Sequence, residues 1–332
     1  IKQGRFQTGL IWWLLVMTNR NWNKVAVLMG GVGAEREVSL QSGKCVTDAL
    51  LKAGVNVVAA DIQPHDMAVL SDESIDVFFI ALHGKFGEDG QLQQILEDKS
   101  LVYTGSGPAA SRTAFDKIAS KRAFESAGLE TAPMIEVAAD TDFEKLAGQI
   151  KTLGSKYVVK PVRQGSSVGV SILENAQVAA KAAKNCLADY GDCMIEKFIT
   201  GRELTVGVLC GRALPLIEIR SKAAFYDYNA KYIADTTEYL FDTIDDAAAA
   251  ERLNKAAVRA FDAVGCRDFS RIDFILGDDG VPYVLEVNTI PGFTTHSLLP
   301  KAAAKIGVKM SDLCMLIIDA AANKSVIYGS QR

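Results

Sequence analysis

Two short runs of alternating apolar residues, RIDFIL and PYVLEVN, face each other across the turn residues between Gly277 and Val281. The Asp279-Gly280 pair predicts a two-residue hairpin turn, so the runs form an antiparallel ladder with a defined register. Side chains alternate faces along a strand, which places Arg271 with Asp273 on one side and Glu286 with Asn288 likewise. The turn then sets Asp273 near Glu286. A lone E-x-N would fit a solvated sheet face better than a metal site. With Asp273 and Arg271 opposite, the preferred reading is an oxygen-rich site for a hard cation such as Mg²⁺.

Upstream the pattern changes to strand, glycine turn and helix. KVAVLMGG reads as a strand and the segment from Ser39 to Gly54 as an amphipathic helix; VNVVAAD, IDVFFIALHG and LVYTG supply further strands. Residues 24–112 are therefore expected to form a Rossmann-like α/β domain. Residues 113–200 open with one long helix, Ala114 to Gly128, and continue as an α+β domain. Residues 201–332 form a second α+β domain, with a lid loop at about 220–240 drawn from FYDYNAKYIADTTEY. Residues 1–23 are set aside as an extension outside the fold, since the apolar run Leu10–Met17 is far short of the ~20 residues a membrane span needs.

Composition narrows the function classes. The net charge of −4 gives no electrostatic case for nucleic acid or an anionic membrane as partner. Six cysteines without a C-x-x-C pair read as reduced thiols of a cytoplasmic protein, and three histidines are few for a zinc site.

Two loops carry further chemistry. In VVKPVRQGSSVGV, Lys160 ends a strand and Gly165, Ser166, Ser167 and Gly169 make a small-residue loop. Its backbone N–H groups can close over phosphates, though a plain hairpin turn explains it equally well. In GGVGAEREVSL, the glycines Gly30, Gly31 and Gly33 together with Asp61 suggest a nicotinamide-dependent dehydrogenase, but Arg36 stands where the third fingerprint glycine belongs. The alternative is that this turn presents Glu35 at the mouth of the sheet.

Taken together, GGVGAEREVSL, ALHGKFGEDGQLQ, YTGSG, VVKPVRQGSSVG, YDYNAKY, RIDF and LEVNTIPGFTTHSLLP resemble the D-alanine–D-alanine ligases of the ATP-grasp superfamily, in family order from about Lys24 onward. The resemblance implies an ATP-grasp fold in which two α+β domains sandwich ATP beside the Rossmann-like domain. It implies a cytoplasmic, homodimeric enzyme that joins two D-alanines for peptidoglycan synthesis. Asp273, Glu286 and Asn288 would hold two Mg²⁺ (or Mn²⁺) ions. Lys117, Lys160 and Lys231 would contact phosphates of ATP, with Ser167 in the loop above them. Glu196, Lys197, Phe198 and Ile199 would line adenine, and Glu203 the ribose. Glu35, with His83 nearby, would hold the first D-alanine and join Ser166 and Tyr232 in a hydrogen-bonded set. Arg271 and the Gly292 N–H would form an oxyanion hole, while Ser297 and Leu298 meet the second D-alanine. The sequence departs from the family at Lys85 and Phe86, where GKFGED replaces a GRGGED-like stretch, and at Gln164, where Glu is frequent. A related ATP-grasp carboxylate–amine ligase, the dehydrogenase and a non-catalytic nucleotide-binding regulator are the competing readings.

Overall fold

The run KVAVLMG forms β1 (Lys24–Gly30), paired in parallel with β2 (Asn56–Ile62) and β3 (Val77–Ile80) in the order β2-β1-β3. The protein is described by a computed structural model over residues 21–221 and 237–323. Helix α1 (Arg36–Lys52) packs on β1 at Gly43, where a Cβ would lie 2.5 Å from that of Met29. This close approach excludes any side chain there. The helix starts before the expected Ser39, and Glu35 occupies its N-cap position. LVYTG does not extend the sheet as a strand. It makes a single parallel bridge, Phe78 to Tyr103, and the Thr104 hydroxyl accepts the Ile80 N–H in place of a further ladder bond.

After α2 (Gln91–Asp98), the expected single helix from Ala114 is two helices, α3 (Pro108–Phe115) and α4 (Lys117–Ser126). Asp116 divides them because its carboxylate accepts the N–H groups of Ile118 and Ala119, capping the second helix. The second sheet, β4-β7-β5-β6, is antiparallel throughout and comprises β4 (Met134–Val137), β5 (Tyr157–Lys160), β6 (Ser171–Leu173) and β7 (Cys193–Lys197). Its core is shared with α5 (Phe143–Ile150) and α6 (Ala176–Tyr190).

The third sheet runs β11-β10-β8-β12-β13, with β9 (Arg212–Ala213) at its margin. Its strands are β8 (Gly201–Leu209), β10 (Ile217–Ser221), β11 (Thr237–Phe241), β12 (Phe269–Gly277) and β13 (Pro282–Asn288). One face packs on α7 (Ala247–Val264) through Leu204, Val206, Ile272 and Phe274. The other shares a core with β1, α1, α8 (Leu298–Lys305) and α9 (Met310–Ala322), so the last helices return to the first sheet.

That return corrects the boundary at residue 23. Trp22 is 3% exposed and belongs to this core, and its indole N–H donates to Asp319 Oδ1 at 2.6 Å. An indole buried with its N–H satisfied is a core residue, so the folded chain includes Trp22. Residues 1–20 lie outside the described residues. So does most of the expected lid, including Lys231 and Tyr232.

Candidate active site

The β12–β13 hairpin achieves the expected pairing by a different route. Its tip is a three-residue loop: Gly277 N–H donates to Val281 O at 2.9 Å, and Gly280 takes φ 76°. That register alone would misalign the polar residues by one. A bulge between Asp273 and Phe274 on the ladder leaves Leu285 as the extra residue, and beyond it Asp273 faces Glu286 and Arg271 faces Asn288. The bulge has a packing reason. Val284 and Val287, three residues apart, both enter the core under α7, which strict alternation forbids. One inserted residue keeps the tip's valine buried while Glu286 and Asn288 reach the opposite side.

On that side the charges interlock. Arg271 donates to Asp273 from Nε at 2.9 Å and from Nη2 at 2.7 Å, and Thr205 Oγ1 donates to Asp273 Oδ1 at 2.6 Å. Asn288 Oδ1 accepts the Ile290 N–H at 3.1 Å, which starts the turn toward Pro291 and Gly292. Glu286 is a third exposed and lies 3.8 Å from Lys117 Nζ, which also donates to Gln164 O at 2.6 Å. Among the described residues no group of three His, Cys, Asp or Glu side chains is placed to hold a metal ion. A cation at this edge would rest on two carboxylates, a carboxamide and oxygens of its ligand, a donor set that fits Mg²⁺. Glu203 lies on β8 at the same alternation as Thr205, two residues before it.

Lys117, Gln164, Arg271, Asp273, Glu286 and Asn288 line a cleft of about 860 Å³ that also reaches Glu35, His83, Ser166, Gly292, Ser297 and Leu298. Ser166 Oγ donates to Glu35 Oε1 at 2.6 Å, tying the start of α1 to the glycine-rich loop 131 residues on. Ser166 and Ser167 have φ of 52° and 60°, left-handed conformations uncommon for residues other than glycine. Ser297 Oγ accepts the Thr294 N–H at 3.0 Å, and Leu298 opens α8. His83 is buried, its Nε2 3.0 Å from Ser42 Oγ and its Nδ1 3.7 Å from Glu88 Oε1. Burial pushes the Glu88 carboxyl above the ordinary glutamate range, against the pull of His83.

Lys160 and Glu196 form a separate cluster. Glu196 accepts from Lys160 Nζ through Oε2 and from Lys121 Nζ through Oε1, each at 2.7 Å. Burial alone would raise this carboxyl, but the two ammonium groups outweigh it and hold it down at about 2. Lys121, 1% exposed, was absent from the sequence reading; it also donates to Ala132 O at 2.6 Å. Burial lowers its ammonium, opposed by Glu196. Just beyond, Lys197 N–H and Phe198 N–H donate to Pro133 O and Lys156 O, so the segment leading to Ile199 is held by its own backbone.

The dinucleotide alternative fails on geometry. Arg36 grips Asp61 with two bonds of 2.8 and 2.6 Å, and neither Asp61 nor Gly30, Gly31 or Gly33 lines the cleft. A Cβ on Gly30 would lie 2.0 Å from Asp61 Oδ1, so that glycine makes room for this ion pair.

Comparison with known proteins agrees. Residues 123–319 match the family described as D-ala D-ala ligase C-terminus, and residues 66–106 match D-ala D-ala ligase N-terminus. The chain is 42% identical over 309 residues to a D-alanine–D-alanine ligase of Anaeromyxobacter sp. (strain K), covering 93% of this chain and all of the relative. It is also 42% identical over 300 residues to that of Acinetobacter baumannii, covering 90% and 96%. Among solved structures, the Bacillus anthracis D-alanine–D-alanine ligase complexed with ATP superposes with TM-score 0.77 at 33% identity, covering 90% of this chain and 97% of that one. The VanG D-Ala:D-Ser ligase of Enterococcus faecalis gives TM-score 0.78 at 26% identity, covering 91% and 100%. The fold is ATP-grasp, and the chain belongs to the D-alanine–D-alanine ligase family.

Proposed function

We propose that the protein joins two D-alanines into D-alanyl-D-alanine, cleaving ATP to ADP and phosphate by way of D-alanyl phosphate, in the service of peptidoglycan synthesis. One observation carries this reading. A carboxylate suited to an ammonium, Glu35, shares a cleft with the oxygen-donor ladder of Asp273, Glu286 and Asn288.

Forming an amide from a free carboxylate in water is uphill, so the acid must first be activated. A carboxylate oxygen of the first D-alanine attacks the γ-phosphorus and ADP leaves. The amine of the second D-alanine then attacks the acyl carbon, and phosphate departs with that oxygen. Glu35, fixed by Ser166, holds the ammonium of the first substrate. Lys117 and Lys160 meet the phosphates, with Lys231 and the loop serine Ser167 completing the set. Bound at Asp273, Glu286 and Asn288, Mg²⁺ or Mn²⁺ supplies charge neutralisation on the polyphosphate. Arg271 and the Gly292 N–H face the oxygen on which charge develops, a contribution of about 3 kcal/mol by analogy with other oxyanion holes. Ser297 and Leu298 border the second amino acid. Glu196 to Ile199 and Glu203 serve adenine and ribose.

A homodimer and a cytoplasmic setting belong to the same reading. The setting is supported by six cysteines that are all free thiols, five of them buried. The chemistry is tested by D-alanine labelled with ¹⁸O in its carboxylate: one label should appear in phosphate for each dipeptide made. Unlabelled phosphate alongside dipeptide would exclude the acyl phosphate.

A further inference from the structure

Ser42 lies in α1, three residues after Ser39, and is fully buried. Its hydroxyl oxygen is 3.0 Å from His83 Nε2 and accepts the Phe293 N–H at 3.2 Å, across 251 residues of sequence. Gly292, the residue before Phe293, sits between two serine hydroxyls: a Cβ built on it would lie 2.6 Å from Ser297 Oγ and 3.9 Å from Ser42 Oγ. The Phe293 ring is fixed independently, edge-on to Phe79 at 5.3 Å and to Phe269 at 5.6 Å. The ring sets the depth of this segment. The amide bond sets the rotation of the peptide plane joining Gly292 to Phe293.

His83 Nδ1 points at Glu88, whose other oxygen accepts the Gly84 N–H at 2.9 Å. Glu88 Oε1 beside Nδ1 favours the tautomer protonated there; Nε2 then accepts from the Ser42 hydroxyl, and the Ser42 oxygen keeps a lone pair for Phe293. A Ser–His–Glu row of this kind resembles a nucleophile relay. Ser42 cannot serve as one, because no solvent or substrate reaches it and its lone pair is engaged.

We propose that Ser42 is a positioning residue that joins His83, beside the first substrate, to the Gly292–Phe293 peptide, so that the turn carrying the Gly292 N–H is held in place only when the two sheets are correctly docked. This rests on the ligase reading for the role of Gly292, while the hydrogen-bond strut itself is independent of it. The test compares wild type with Ser42→Ala. The variant should exchange its Phe293 amide proton at least about tenfold faster, with the amides of β1 unchanged. Its kcat should fall about tenfold, with the KM for ATP within about twofold of wild type. In wild type, ¹⁵N NMR of His83 should show the proton on Nδ1. Unchanged Phe293 exchange and kcat in a folded variant, a proton on Nε2, or labelling of Ser42 by a fluorophosphonate would each overturn the proposal. If Ser42→Ala fails to fold, the wild-type tautomer and the protection of the Phe293 amide decide alone. A wild type that makes no dipeptide would remove the ligase reading but leave the exchange result standing.

Discussion

Glu196 and Glu286 are both glutamates paired with lysine on sheet strands, yet they are built for opposite purposes. Glu196 is buried, and each of its oxygens receives an ammonium at 2.7 Å. Glu286 is a third exposed, and its one described cation, Lys117, stands 3.8 Å away while donating to a backbone carbonyl. The first carboxylate is committed. Moving either partner would strand a charge in low dielectric, at a cost of about 3–5 kcal/mol. The second has oxygen lone pairs free for a newcomer, and its present ion pair at that exposure is worth about 1 kcal/mol or less. The second kind of group can take up a ligand directly, whereas the first fixes the strand and the lysines beside it. Here they occupy neighbouring sheets.

The contrast is most easily broken at Glu286. Glu286→Gln should lower turnover by at least about 10²-fold while leaving the melting temperature near that of wild type, because the change touches binding and not the core. Steady-state kinetics beside a thermal melt would show it, and a large loss of melting temperature would place Glu286 with the scaffold. Glu196→Gln should do the reverse first. It leaves Lys121 and Lys160 buried without a counter-charge and should cost about 3 kcal/mol in urea unfolding.

Acid sharpens the same point. Glu196 titrates at about 2 in the folded protein against an ordinary 4.5. Its contribution is thus fully present above pH ~4.5 and is lost as pH falls toward 2, on the order of 3 kcal/mol in all. Urea midpoints measured from pH 5 downward should fall more steeply in wild type than in Glu196→Gln. Parallel slopes would mean the buried cluster does not hold a carboxylate. Glu88 runs the other way: its raised value means stability is lost as pH climbs above the ordinary glutamate range.

The smallest effect tests the chain's first anchor. Trp22→Phe keeps an aromatic ring but removes the indole N–H that Asp319 accepts, and should cost at least about 1 kcal/mol with kcat unchanged.

The pairing across the β12–β13 ladder could be read from the sequence, and the reason is local. Period-two alternation and an Asp-Gly turn are short-range properties, so Asp273 opposite Glu286 followed from a few residues. The bulge at Leu285 did not, because a leucine in an apolar strand gives no sign of being the unpaired one. It compensates a loop one residue longer than expected, and the two departures offset each other. Asp116 was visible as a cap in principle, standing before Lys117-Ile118-Ala119, but helical propensity on both sides concealed the break. Lys121 carried one signal, its place three residues before Phe124 on the buried face of α4. Its partner Glu196 lies 75 residues away, a distance no periodicity spans. Trp22 and Ser42 were missed for a related reason: Asp319 and Phe293 become their neighbours only when the C-terminal part packs on the first sheet, and His83 only when α1 folds across the end of β3.

The most direct test of the whole account is the mass of the product formed from ATP, Mg²⁺ and a mixture of D-alanine, D-serine and D-lactate at equal concentration. The account predicts D-alanyl-D-alanine as the main product, with one ADP and one phosphate released per dipeptide. A folded protein that forms no dipeptide at saturating substrate, or that releases ADP without joining amino acids, would contradict it.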